Sequence, residues 1–361
     1  MPEPGSISSK PRAPWSRNLF DLHLGSLSVL NEDAGYRRSF MDPHLWKPYL
    51  EQVCQRHFRA SITTLRPGLA GSYPTFIVNG RWVVKFYGEL FEGASSYEVE
   101  RAVNHLVASD PNIPTPPLLA EGSLFPGEDT WSWPYLIFGY LPGLSLGEVA
   151  KQLSLEQKIL IAKQMGVIVH RLHALPLPSH NIFPSGCSTY DAFIQQQYAR
   201  CNDLHRTADD LPSHLVDQIE TFLLLPDEFT QTALKLILIH ADLTRDHLLG
   251  RIEHGRWITS GLIDFGDAMP GELAYELVAL HLDLFGCDKR LLSAFLDSYG
   301  IPHSHRANLF FRAMSAALLH RFPVFVGLKD SIPALHEIAT LQELSSFLWD
   351  PDGPAFRFSP V

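Results

Sequence analysis

The apolar residues change their spacing near Gly139–Gly143, and that change limits the architecture more than any other feature of the chain. Before it stand short alternating runs, SITTLRP from Ser61, then YPTFIV, RWVVKFY, LLAEGS and WPYLIFGYLPG. Alternation with a period of two belongs to strands. After it, LSLEQKILIAKQMGVIVHRLHAL, YDAFIQQQYARCNDL and HLVDQIETFLLL repeat their apolar residues every three or four positions, the period of a helix with one buried face. Strands come first and helices follow. The chain is therefore expected to be α+β, with two unlike lobes: a small N-terminal one with an antiparallel sheet and one helix, and a larger, mainly helical C-terminal one.

Turn chemistry refines this. Asn79-Gly80 between two β-branched runs predicts a hairpin, because the favoured turn needs positive φ at both central residues. Pro67–Ser72, the stretch PGLAGS, forms a glycine-bearing loop before the second strand. Ser95-Ser96-Tyr97-Glu98 reads as a capping box opening a helix with Val99, Val103 and Leu106 on one face, stopped by the prolines of NIPTPP. Within the helical half one β island interrupts the pattern: LKLILIH leads to ADLTRD, and HLLGRI turns at Glu253-His254-Gly255 into RWITSGLIDFGD. Helices resume with YELVALHLDLF, LLSAFLDSYG, NLFFRAMSAALLHRF and, after Ser331 as cap and an early Pro333, ALHEIATLQELSSFLW. The expected organisation is an N-terminal extension over 1–58, partly disordered but with a helix at LWKPYLEQVCQRHF, a strand-rich lobe over 59–141, and a helical lobe over 142–361 that carries the β island.

Composition excludes several classes of function. The 361 residues carry 29 Lys+Arg against 39 Asp+Glu, a formal net charge of -10, whereas coating nucleic acid or an anionic membrane needs a basic face. No apolar run approaches the roughly 18 residues of a membrane span, and MPEPGSISSKPRAP has no apolar core for export, so a soluble cytoplasmic protein is expected. Cys54, Cys187, Cys201 and Cys287 are scattered without a CxxC pair, which argues against a disulfide framework or zinc knuckle. The histidine pairs His170/His173 and His303/His305 lack the HExxH general base and a nearby acidic partner, so packing is preferred over zinc.

The chemistry-bearing residues lie on the β island. Asp242 of His240-Ala241-Asp242 follows a strand, His247 comes five residues later, and Asp264 ends the next hairpin in IDFGD. Two carboxylates and an imidazole delivered by tight loops to one edge suit phosphoryl transfer. That reaction needs one carboxylate near the attacking hydroxyl and others to hold a divalent ion against the nucleotide phosphates. Positioning and charge neutralisation dominate such a reaction.

HADLTRDHLL together with LIDFGDAMPGELAYELVAL resembles the aminoglycoside phosphotransferase family, on the protein-kinase-like fold, over about residues 60–300. HAD and AMPGELAYE are most similar to its hygromycin-type branch. The resemblance implies that Asp242 is the catalytic base and that His247 and Asp264 hold Mg²⁺, with Mn²⁺ tolerated because histidine replaces the commoner asparagine at 247. It implies that Lys85 in WVVKFY holds the phosphates of ATP or GTP and that Glu100 is its helix partner, Glu98 being occupied by the cap. The loop to Ser72 covers the phosphates, Phe138 is the gate before the linker, and the backbone of Gly139 and Leu141 meets the adenine edge. Glu272 and Glu276 replace the usual aspartates and brace the catalytic loop. Arg245 either approaches the transferred phosphate or faces solvent. The substrate implied is a hydroxylated, cationic small molecule, first an aminoglycoside-like antibiotic, with a metabolic alcohol or amino sugar as the alternative, or a nucleotide-binding pseudokinase module.

Overall fold

The computed structural model describes residues 39–69, 71–127, 131–184, 186–229, 235–326, 328 and 335–351. The expected loose N-terminal stretch, Ala70 of the glycine loop, and Ser331 with Pro333 lie outside the described residues. The chain forms two compact units, one of Met1–Gly93 with Glu121–Tyr135, the other of Ala94–Ala120 with Leu136–Val361. The fold is α+β, with an antiparallel sheet in the N-terminal part and helices in the C-terminal part.

The first unit begins with α1 (Pro43–Phe58), opened by Asp42, whose carboxylate accepts the His44 amide at 2.9 Å, with proline in the first turn. The strands are β1 (Leu65–Pro67), β2 (Thr75–Val78) and β3 (Trp82–Phe86). Trp46 of α1 is fully buried, stacked on Phe86 with centroids 4.6 Å apart and edge-on to Trp133 at 5.2 Å. The segment whose purpose the sequence does not reveal is thus a core element, covering one sheet face with its aromatic side chains. Asn79 and Gly80 take the predicted positive φ, 56° and 60°. The run from Ser61 is strand only from Leu65. Earlier residues bond instead to the turn, where Asn79 Oδ1 accepts the Thr63 amide at 2.7 Å and Asn79 Nδ2 donates to Ser61 C=O at 2.9 Å.

The next helix, α2 (Gly93–Val107), starts two residues before the expected cap. Gly88 and Gly93 explain the shift. A Cβ on Gly93 would lie 1.8 Å from Gly88 C=O, so this close approach, available only to glycine, sets the start. Ser95 then lies inside the helix, and Glu98 forms an ion pair with Arg101 at 2.7 Å instead of closing a box. Strands β4 (Leu118–Ser123) and β5 (Pro134–Gly139) complete a sheet of order β1-β2-β3-β5-β4.

The second unit continues with β6 (Leu144–Ser145), α3 (Leu146–Val149) and α4 (Leu155–Ala174). Both helices open with true capping boxes, Ser145/Glu148 and Ser154/Gln157. Then come α5 (Tyr190–Ala208), two one-turn helices, α6 (Ser213–Val216) and α7 (Ile219–Phe222), where a single longer helix was expected for HLVDQIETFLLL, and a third, α8 (Pro226–Phe229). The β island is β7 (Ile237–Ile239), β8 (Leu248–Glu253), β9 (Arg256–Leu262) and β10 (Met269–Gly271). β10 pairs antiparallel with β7, and β6-β8-β9 form a second small sheet. The remaining helices are α9 (Leu273–Ala279), running into a π turn Leu280–Leu284, then α10 (Lys289–Tyr299), α11 (His303–Leu318) and α12 (Leu341–Trp349). Val99, Val103 and Val107 of α2 join one apolar core with Met165, Leu248, Leu277, Phe295 and Trp349. No described helix is long and apolar enough to cross a membrane. All four cysteines are free and buried.

Candidate active site

In the first unit, Lys85 sits on β3, only 6% exposed, opposite Thr75. Its ammonium lies 5.5 Å and 5.4 Å from the ring centroids of Tyr73 and Tyr87, within cation–π range of both. Ser72, just before Tyr73, is exposed in the loop between β1 and β2.

In the second unit, β7 ends at Ile239 and the chain turns sharply. Ala241 stands at φ 64°, a left-handed conformation costly for a residue with a Cβ. A buried carboxylate holds it there: Glu276 Oε2 accepts the His240 amide at 2.6 Å and the Ala241 amide at 3.4 Å. The next residue is Asp242. Burial pushes its carboxyl up to about 6, with His247 opposing the rise and Asp267, Asp264 and Asp283 adding to it.

His247 lies between the two aspartates, Nδ1 3.6 Å from Asp242 Oδ2 and Nε2 3.7 Å from Asp264 Oδ2. Its Nδ1 also lies 2.6 Å from the Asp242 carbonyl. A carbonyl only accepts, so Nδ1 carries the hydrogen and Nε2 is the nitrogen on the Asp264 side. Asp264 is itself left-handed, at φ 66°. A Cβ on Gly266 would lie 3.4 Å from Asp264 Oδ1 and 3.5 Å from Glu100 Oε2, which puts the buried Glu100 carboxylate beside the IDFGD turn. Asp242 and His247 from the loop before β8, Asp264 from the turn after β9 and Glu100 from α2 are thus brought together from three stretches of this unit.

Among the described residues no group of three or more His, Cys, Asp or Glu side chains is arranged to hold a metal ion. Mg²⁺ usually takes one or two protein carboxylates and completes its shell with water and phosphate oxygens. A carboxylate oxygen facing an imidazole nitrogen fits a cation placed between them.

At the linker, Phe138 is buried and the Gly139 amide donates to Pro117 C=O at 2.9 Å, so that amide is committed and only the carbonyl of Gly139 remains for an adenine edge. Leu141 packs on Gly261 of β9, where a Cβ would meet its Cδ1 at 2.3 Å. Arg245 is tied back to Asp283, its Nε 3.2 Å from Asp283 Oδ1. Sequence reasoning missed two ion pairs near the loop: Arg321 with Asp267 at 2.8 Å, and Arg312 with the buried Glu272 at 2.7 Å, where the Tyr190 hydroxyl also donates at 3.4 Å. The arginines lie too far along the chain for any local pattern to have paired them. The pair His170/His173 packs as expected, the His173 ring bonding to the Tyr299 hydroxyl at 2.8 Å.

The sequence profile of the phosphotransferase enzyme family matches residues 65–310. The chain belongs to this family. Its fold is that of solved aminoglycoside phosphotransferases. An aminoglycoside 2′-phosphotransferase-IIIa in complex with GDP shares 20% identity at a TM-score of 0.59, covering 81% of this chain and 97% of that one. A GDP and kanamycin complex of APH(2″)-IIIa gives 19% and 0.58, with 80% and 97% covered, and a streptomycin–ATP ternary complex of APH(2″)-IIa gives 16% and 0.54, with 80% and 96% covered. Among curated proteins, lysine-specific demethylase JMJ21 of Arabidopsis thaliana is 23% identical over 206 residues, 47% of this chain. The chain spans 22% of the length of that relative.

Proposed function

We propose that this family member transfers the γ-phosphoryl group of ATP or GTP to a hydroxyl of a small molecule. The observation that carries the reading is the convergence of Asp242 and Asp264 on opposite nitrogens of His247. Asp242 orients the acceptor hydroxyl and takes its proton as the oxygen attacks phosphorus and the bond to the nucleoside diphosphate breaks. A carboxyl raised to about 6 is still mostly ionised at neutral pH and is a better base than an ordinary aspartate. Asp264 and the Nε2 of His247 hold the divalent ion, Mg²⁺ or Mn²⁺, which when bound neutralises charge on the β- and γ-phosphates. Lys85 holds the nucleotide phosphates, with Glu100 as the helix partner that the family resemblance implies, and the loop ending at Ser72 covers the phosphates. Phe138, the Gly139 carbonyl and Leu141 take the base. The solved relatives bound to GDP and to ATP support either nucleotide.

For the acceptor, an aminoglycoside-like cationic polyol is the first choice. Kanamycin and streptomycin accompany relatives of the same fold, and this chain is acidic. A metabolic alcohol or amino sugar is the alternative.

The test is to incubate the protein with Mg²⁺ and labelled ATP or GTP against kanamycin, streptomycin and a set of small alcohols. Phosphorylated product is expected from the wild type. Asp242→Asn should lose about 10²–10⁴-fold in turnover while nucleotide-dependent thermal stabilisation is kept. Unchanged turnover in that variant would refute the base assignment. Stabilisation by nucleotide with no phosphorylated product from the wild type would make the chain a binding module.

A further inference from the structure

One helical rod, α9 with its π turn, carries two carboxylates that take backbone amides from the catalytic loop. Glu276 lies in the α-helical part of the rod and Asp283, seven residues on, in its π turn. Glu276 takes the amides of His240 and Ala241, before Asp242. Asp283 takes the loop's far bend. The Arg245 amide donates to Asp283 Oδ1 at 2.7 Å, its Nε to the same oxygen at 3.2 Å, and its Nη2 to the Asp283 carbonyl at 3.0 Å. From the other side, the Gly147 amide donates to Arg245 C=O at 3.2 Å and the Ser145 hydroxyl to Asp246 Oδ1 at 2.9 Å. Asp242 lies between these fixed points, and its own carbonyl takes the Thr244 amide at 2.9 Å.

The rod is widened where Asp283 stands. Leu280–Leu284 forms a π turn, closed by the Phe285 amide on Leu280 C=O at 2.9 Å. Such turns are rare and gather at functional sites. The widened turn is anchored on its buried side, where His281 Nε2 donates to Leu348 C=O of α12 at 2.8 Å.

We propose that Asp283 is a positioning residue for phosphoryl transfer, setting through the Arg245 amide the loop that aims Asp242. This rests on the reading of Asp242 as the base. The side chains of Arg245 and Asp283 are 42% and 41% exposed, so their ion pair contributes little by itself. The amide bond is the effective contact, because it fixes backbone three residues from the reacting group.

The experiment compares Asp283→Ala, Asp283→Asn and Arg245→Ala with the wild type. It measures transfer to kanamycin and slow hydrolysis of Mg-ATP and Mg-GTP, together with amide hydrogen exchange of the 242–247 segment and thermal melting. Asp283→Ala should lower kcat about 10–100-fold with the nucleotide KM within about twofold, since misplacement by about an ångström costs that much. Asp283→Asn keeps an oxygen for the amide and should recover most of the loss. Arg245→Ala keeps the amide and should lose less than Asp283→Ala. Exchange in 242–247 should quicken in Asp283→Ala alone. Wild-type kcat in Asp283→Ala, no recovery in Asp283→Asn, or equal losses in Asp283→Ala and Arg245→Ala would overturn the proposal. If the wild type itself transfers nothing to water or to any of kanamycin, streptomycin and the small alcohols, the phosphotransfer reading fails. The clamp is then judged on exchange, and unchanged exchange in Asp283→Ala overturns it as well.

Discussion

His247 is held by its backbone neighbour before it meets any ligand. The bond from Nδ1 to the Asp242 carbonyl fixes the tautomer and turns Nε2 toward Asp264. An imidazole nitrogen favours softer ions than Mg²⁺, whereas an amide oxygen suits Mg²⁺. His247→Asn should therefore shift the preference toward Mg²⁺ over Mn²⁺ by about tenfold, read from turnover against each ion's concentration. An unchanged ratio would remove His247 from the metal site. The spacing of five residues from Asp242 made this histidine a candidate in the sequence, but which nitrogen carries the hydrogen depends on a 2.6 Å contact that no one-dimensional pattern contains.

Among the elements, α4 and α10 meet at Gly166. A Cβ there would lie 2.5 Å from Phe295 C=O and 2.8 Å from the Ser298 Cβ. Alanine is the better helix former by about 1 kcal/mol, yet a methyl group forced against another helix's backbone costs about 1–3 kcal/mol. Gly166→Ala should thus lower the urea midpoint, and a raised midpoint would show that the helices separate freely. The long helices were legible because their apolar stripes persist over many residues. Their starts were less so. Ser95-x-x-Glu98 has the composition of a capping box, but the approach of Gly93 to Gly88 begins the helix earlier and leaves Glu98 to Arg101. The break between α6 and α7 was likewise unreadable, since LVDQIETF keeps a helical period straight through it.

At the scale of the molecule, stability should depend on pH through histidines buried in their neutral form. Burial lowers His281 to about 4, and its Nδ1 has no hydrogen-bond partner. The unfolded chain binds a proton at His281 near its ordinary value of 6.5, while the folded chain resists it until about 4. Stability is therefore complete above 6.5 and declines as pH falls through that interval, by up to about 3 kcal/mol for this one residue. His320, lowered to about 4 by the same cause, adds to the slope. The fall in Tm between pH 7 and 4.5 should be smaller in His281→Gln than in the wild type, and an equal fall would mean that His281 is not the resisting group. The order of strands, helices and β island, and the choice of Asp242, His247 and Asp264 as candidate site residues, were legible in the sequence, because period, turn chemistry and short motifs are properties of neighbouring residues. Only the tertiary structure decided which amides Glu276 takes from the loop it was expected to brace, that Asp283 takes the Arg245 amide, that Glu100 stands at the IDFGD turn, and that α1 is a core element. Those partners lie tens to more than a hundred residues from what they touch, and only folding brings them within reach of a hydrogen bond.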